Sequence, residues 1–279
     1  MLPAAASAQA GTTTHAAVLV APASTRGLGM GDAFVLGATD PDAIFVNAAL
    51  GAQLRGISLA VNRFGGSAEG TLGFTAAAGT AWWRGAVGIG LRAAGATGGT
   101  ARSGAAASLA YALTVVGVRL AAGASLLEQA WAGGRGSAVS FDAAVATSAG
   151  PFYLGAAARN LGPHVTLRGE GAASATLSLP ERFAANAATR ALVVGPLDVT
   201  AAAVWATDAD GEWSAGGGLE AAYWPIQGRT FAARAGLRRG REHAARLTLG
   251  AGFRGDALGI DWAWQDAEGG VHRVGVSWR

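Results

Sequence analysis

Few residues in this chain have the types and spacing that catalysis needs. There is no cysteine, which excludes thiolate catalysis, disulfides and cysteine-liganded metal centres. The four histidines, His15, His164, His243 and His272, show no H-x-x-x-H or related metal spacing. Asp208, Asp210 and His243 could compose an Asp/His site if their loops met, but only loop polarity marks them. Gly27, Gly29 and Gly31 are set two apart rather than in the G-x-G-x-x-G spacing that cradles a pyrophosphate. No catalytic residue, metal or cofactor is therefore expected. What remains is arginine. All 21 basic residues are Arg, a group that stays charged and grips carboxylates bidentately. They are dispersed rather than gathered in a patch, so the net charge of +3 does not point to nucleic acid.

The elements that carry these charges are short alternating runs. The chain has 279 residues, 51% hydrophobic and only 14% charged, with 44 glycines. Disorder is excluded by the high hydrophobicity, and collagen by the absence of a three-residue glycine period. Downstream of Arg26 the longest charge-free stretches, Ser103–Val118 and Ala143–Ala158, are too short for spanning helices, and the second contains Gly150-Pro151. From Gly56 onward, bulky apolar residues recur at every second position. Leu258, Ile260, Trp262 and Trp264 oppose Asp261, and Val274, Val276 and Trp278 oppose Arg273. Leu219 and Tyr223 likewise oppose Glu220, and Val87, Ile89 and Leu91 oppose Arg92. There are about fourteen such runs of roughly 8–13 residues, the length a tilted membrane strand needs.

A soluble sandwich would alternate in the same way. Here, however, the face opposite the bulky residues is mostly Gly, Ala and Ser with one charge per run, which is no solvated surface. Seven of the tryptophans (Trp82, Trp83, Trp131, Trp213, Trp224, Trp264 and Trp278) fall near run ends, as interfacial girdles do. The connections also alternate in length. Arg84-Gly85, Val116-Gly117, Ser148–Gly150, Pro225–Arg229 and Gly255-Asp256 are short, although Arg190–Pro196 breaks the trend. Gly65–Gly70, Gly95–Arg102, Gln129–Ser137, Leu161–Leu179, Thr207–Gly211, Arg238–His243 and Asp266–Gly270 are generally longer. Short periplasmic turns and long external loops are the mark of an outer-membrane barrel. Ala8-Gln9-Ala10 is an A-x-A cleavage pattern, so residues 1–10 are expected to be the residue of a signal peptide.

In a barrel the charges must point into the lumen, because Arg facing lipid at mid-depth costs about 2–4 kcal/mol. The expected lumen-facing set is Arg92, Arg119, Asp142, Arg159, Arg182, Asp198, Glu220, Arg234, Arg238, Arg246, Arg254, Asp261 and Arg273. One reading is cross-strand ion pairing, Glu220 with Arg234 and Asp261 with Arg246 or Arg273. The other is a cationic lumen that favours anionic solutes or a fatty-acid carboxylate.

Residues 11–50 do not alternate. They contain the block Arg26-Gly27-Leu28-Gly29-Met30-Gly31-Asp32-Ala33-Phe34-Val35, then Asp40-Pro41-Asp42-Ala43-Ile44-Phe45-Val46-Asn47. Asp40-Pro41 suits the N-cap and first position of a short helix. The R-G-L-G-M-G-D-A-F-V block followed by D-x-x-A-x-x-x-N resembles the start of the FadL/PorV superfamily of outer-membrane barrels. Arg159-Asn160-Leu161-Gly162-Pro163, Leu179-Pro180 and the stretch from Gly218 to Arg279 resemble its PorV side. The resemblance implies a transmembrane antiparallel barrel of fourteen strands over residues 53–279. It also implies a partly helical hatch, residues 11–52, inside the lumen. The gate residues it implies are Arg26, Gly27, Gly29, Met30, Gly31, Asp32, Phe34, Asp40, Phe45 and Asn47. Asn47-Ala48-Ala49 departs from the family's usual N-P-A, and the chain is short for a fatty-acid transporter. Trp278, followed by Arg279, resembles the terminal signal read by the barrel assembly machinery.

The implied function is passive transport of a small hydrophobic or amphipathic solute through a hatch-gated lumen. The alternative is a PorV-like component of a type IX-like secretion pathway that docks exported protein at the outer membrane. The expected surroundings are outer-membrane lipid and lipopolysaccharide, with secretion-system proteins as partners in the second case.

Overall fold

The computed structural model describes residues 17–20, 22–35, 40–53, 55–64, 71–96, 103–131, 134–169, 175–209, 211–241, 244–266 and 270–278. Residues 1–10, expected to be the remnant of a signal peptide, lie outside the described residues, as do His15, Asp210, His243 and Arg279. The alternation seen in the sequence becomes one antiparallel sheet of seventeen strands. They are β1 (Gly56–Phe64), β2 (Thr71–Trp82), β3 (Gly85–Ala96), β4 (Ser103–Val115), β5 (Val118–Trp131) and β6 (Gly134–Ala149). Then come β7 (Phe152–Leu161), β8 (Val165–Gly169), β9 (Ala175–Leu177), β10 (Arg182–Thr189), β11 (Leu192–Val194) and β12 (Leu197–Asp208). The last five are β13 (Trp213–Ile226), β14 (Arg229–Gly240), β15 (Arg246–Arg254), β16 (Leu258–Gln265) and β17 (Val271–Trp278).

Strands β8, β9 and β11 are accessory, which leaves fourteen staves in a closed barrel. Closure is made by β1 on β17, from Ile57 opposite Trp278 to Phe64 opposite Val271. A closed sheet leaves no unpaired edge, the condition for crossing a bilayer with strands. Among the described residues no helix is long and apolar enough to cross.

Parity decides which face is which. Leu59, Ile89, Leu109, Leu126, Leu219 and Val276 are exposed on the outer wall, while Asn62, Thr75, Arg92, Ser140, Glu220 and Arg273 are buried inside. The bulky face of each run is therefore the lipid face and not the core of a sandwich. At one end the strands are joined by tight turns. Val116-Gly117 has positive φ at both residues, as a type I′ hairpin turn requires. The longer connections lie at the other end. One of them carries the β8–β9 hairpin, which pairs with β6 at Gly134 and Arg135.

The core is inside the barrel and is built on residues ahead of β1. Helices α1 (Ala17–Val20) and α2 (Thr25–Leu28) are followed by two 3-10 turns, Pro41–Phe45 and Ala48–Gln53. Met30, Phe34, Ile44, Phe45 and Leu50 pack on inward alanines of the wall, among them Ala77, Ala110, Ala146 and Ala202. Burial of a side chain of this size is worth about 1.5–3 kcal/mol, so the alanine lining lets a short segment gain most of its stability from its own large residues. A second apolar cluster joins Val18 and Leu19 to Val165, Leu167 and Leu177 of the hairpin and to Leu127 of the wall.

The expected helix at Asp40-Pro41 is a 3-10 turn, and Asp40 makes no side-chain capping bond. Its carboxylate oxygens are drawn instead to Arg26 and Arg254.

Candidate functional site

The N-terminal segment, residues 22–35 and 40–53, is fixed to the wall by charge, by polar clamps and by close backbone approach. The charges form a closed ring of alternating sign. Arg26 donates Nε to Glu220 Oε2 at 2.8 Å and bonds Oε1 through Nη2. Glu220 Oε2 also accepts from Arg234 Nε at 2.5 Å, and Arg234 Nη1 donates to Asp261 Oδ1 at 2.6 Å. Asp261 Oδ2 lies 3.6 Å from Arg254 Nη2, and Arg254 Nη1 meets Asp40 Oδ1 at 2.7 Å. Asp40 Oδ2 returns to Arg26 Nη1 at 3.3 Å. The 3.6 Å contact is an ion pair without a hydrogen bond, consistent with the unpartnered Arg254 Nη2. Two members of the ring come from the segment, and four come from β13, β14, β15 and β16.

The Glu220–Arg234 pair expected from adjacent strands is present. The expected pairing of Asp261 with Arg246 or Arg273 is not made. Asp261 stands opposite Gly252 on β15 and Gly275 on β17, and the missing side chain at Gly252 lets Arg234 reach across from β14. Arg246 stands opposite Arg238. Arg273, fully buried, instead donates to five neutral oxygens: Asn62 Oδ1, Thr25 Oγ1, Thr75 Oγ1, Pro22 O and Ala23 O. It thus fixes residues 22–25.

Further clamps follow along the segment. Asp32, in the left-handed region with φ 65°, pairs with Arg238 at 2.6 Å. Gly31 N donates to Thr248 Oγ1 at 2.9 Å. Phe45 O accepts from Arg159, and Asn47 Nδ2 donates to Val145 O and Ala156 O. Gly27 N donates to Ser24 Oγ, which starts α2.

Backbone approach depends on glycine. Inward positions Gly216, Gly218, Gly236 and Gly250 form a flat floor under residues 29–31. A Cβ on Gly218 would lie 2.8 Å from Met30 Cα, and one on Gly250 would lie 3.3 Å from Gly29 Cα. Of the expected gate residues, Arg26, Gly29, Met30, Gly31, Asp32 and Asp40 meet β13, β14 and β15, whereas Phe45 and Asn47 meet β6 and β7, and together these make the segment's contact with the wall. Thr25, Asn62, Thr75, Thr248 and this glycine floor complete it, and sequence reasoning passed over them. The Gly216-Gly217-Gly218 run was the available signal.

Burial shifts the charges on the segment. Desolvation disfavours charge on Arg26, but Glu220 and then Asp40 outweigh it and hold its pKa above the ordinary value. Asp42 is pushed up to about 6, first by burial and then by the neighbouring Asp40 carboxylate, against the opposing pull of Arg273.

Beside the segment lies a cavity of about 100 Å³. Arg92, Arg159, Arg182 and Arg238 border it, with Asn186 and Phe34. Asp142 faces inward but gives Oδ1 to Asn160 N at 2.7 Å. Asp198 faces inward near the tight-turn end, and Arg119 is buried with no ion pair among the described residues. His164 is exposed and Asp208 half-buried. An Asp/His arrangement with Asp210 and His243 falls outside the described residues.

A closed fourteen-stranded antiparallel barrel is a fold that this chain shares with solved FadL-type channels. Three solved structures carry the likeness. A Pseudomonas aeruginosa FadL homologue superposes with a TM-score of 0.59 at 14% identity, covering 91% of this chain and 97% of the other. The TodX monoaromatic hydrocarbon channel, as a deltaS2 mutant, gives 0.58 at 11%, covering 91% and 97%. The Ralstonia pickettii toluene transporter TbuX gives 0.57 at 13%, covering 91% and 96%. At these identities the likeness is one of fold. No protein-family model matches the chain, and no curated protein sequence matches it.

Proposed function

We propose that this chain is an outer-membrane channel for passive passage of a small hydrophobic or amphipathic solute, gated by residues 22–53. The observation that carries the proposal is the charge ring, in which Arg26 and Asp40 of the segment close a circuit with four wall residues. Burying six charges is costly, and an ion pair of this kind is best used as a register or a switch. The fold shared with hydrocarbon channels supports the same reading. The lipid-facing wall suits an outer membrane, and the terminal strand ending at Trp278 is the element we assign to recognition by the assembly machinery. No observation favours secretion docking over passage.

The test is Glu220→Gln, compared with deletion of residues 22–50. Removing one partner from a buried ion network costs about 3–5 kcal/mol, enough to release the segment. Toluene or decanoate entry into proteoliposomes should rise several-fold in both variants. Flux that is unchanged in both removes the gating role.

A further inference from the structure

The ring neutralises its own charges, three arginines against three carboxylates, and leaves the rest of the lumen unbalanced. The imbalance is local. Arg92 on β3, Arg159 on β7, Arg182 on β10 and Arg238 on β14 converge on one cavity of about 100 Å³. Of these, Arg238 is paired with Asp32. Among the described residues, no carboxylate lies within ion-pair distance of Arg92, Arg159 or Arg182. The nearby Asp142 bonds the backbone N–H of Asn160. Arg159 and Arg182 are direct cross-strand partners, two cations face to face on neighbouring staves. Like charges in that position are destabilising. Arg92 is buried with Nε unpartnered and stacks its guanidinium 5.0 Å above the Phe45 ring, and Arg159 Nε is also unpartnered. Arg159 reaches Phe45 O and Arg182 reaches Ser214 Oγ, but both acceptors are neutral. Guanidinium does not lose its proton in a protein, so these three charges have no ion-pair partner among the described residues, and Asp32, which also borders the cavity, is engaged by Arg238.

We infer that this chamber is a binding site for a single small oxyanion, a carboxylate or phosphate group held between Arg92, Arg159 and Arg182. The chemistry fits in kind and in size. Planar guanidinium forks match two oxygens on one centre. A volume of about 100 Å³ is about three water molecules, enough for an oxyanion head group and too little for a long chain. An anion would also relieve the Arg159–Arg182 repulsion. The inference names the solute class for the channel and rests on that reading. It predicts selection for anions over neutral hydrocarbons.

The test is equilibrium binding, which does not measure passage, so the two ideas fail separately. Full-length protein in detergent is titrated calorimetrically with inorganic phosphate, benzoate, decanoate and toluene, and so is Glu220→Gln, whose segment is released. The anions should bind and toluene should not. Arg182→Gln and Arg92→Gln should each weaken anion binding at least tenfold. Arg182→Gln should leave Tm nearly unchanged, because loss of the hydrogen bond to Ser214 Oγ is offset by removal of the like-charge contact with Arg159. Decanoate binding far more tightly than benzoate assigns the oxyanion to the head of an amphiphile, and equal affinities assign it to a free small anion. Toluene binding as well as benzoate overturns the inference. So does anion affinity that survives both substitutions, or an absence of anion binding in both wild type and Glu220→Gln.

Discussion

Glu220 accepts hydrogen bonds from two arginines that the chain separates widely, Arg26 ahead of the barrel and Arg234 on the next strand. Parity alone foretold half of this, since Glu220 and Arg234 are inward and adjacent. It could not foretell Arg26, because the segment has no period to read. It also misdirected Asp261, because side-chain reach over a glycine does not follow strand register. Asp42 gives the residue-scale prediction. Its folded pKa of about 6 lies above the ordinary carboxylate value, so its protonated form stabilises the docked segment. That stability is fully present below about pH 4 and is lost as pH rises through about 6. Asp40 and Asp261 add to the upward shift, and Arg273 opposes it. Open events in planar bilayers should therefore become more frequent between about pH 5 and pH 7, and Asp42→Asn should flatten that rise. A pH profile identical in the two proteins would remove Asp42 from the gate.

At the scale of elements, β13 shows what glycine does in a stave. Gly216 and Gly218 carry no side chain on the face where Met30 and Gly31 lie. Gly218→Val should push the segment off the wall without opening the barrel. The expected result is protease cleavage within residues 22–53, with heat-modifiable migration of the folded barrel retained. Protection equal to wild type would contradict the packing. The barrel strands were legible because each repeats its period over many residues. The short β8 and β9 were not. Val165, Thr166 and Leu167 alternate too briefly, beside Gly162-Pro163, to be told from a loop. Their inward burial against Val18 and Leu127 comes from tertiary packing that no local pattern encodes. The Asp40-Pro41 signal for a helix start was read correctly as a boundary, but ion pairing took the capping oxygens.

For the whole molecule, the alternation of bulky and small residues set strand number and outward face, and the closing register of β1 on β17 completed them. The wall then makes a prediction that depends on parity alone. Leu109 lies at the middle of β4 and is exposed on the lipid side. Leu109→Arg places a charge in hydrocarbon at a cost of about 2–4 kcal/mol. It should lower the urea midpoint of the refolded barrel in lipid vesicles. The conservative Leu109→Val should leave that midpoint nearly unchanged. A midpoint unmoved by Arg would mean that this face does not meet lipid.

The clamps on the segment also order events in time. The clamps on residues 22–35, Glu220, Arg238, Thr248 and Arg273, belong to the final third of the chain, whereas Phe45 and Asn47 are held by Arg159, Val145 and Ala156 from its middle. Residues 22–35 leave the ribosome early, yet their binding surface exists only after β13 to β17 have paired and met β1. Contacts so distant in sequence form late, after the loop entropy of every intervening strand has been spent. Residues made before the strands that hold them thus settle after those strands, and docked residues 22–35 certify that the barrel around them has closed.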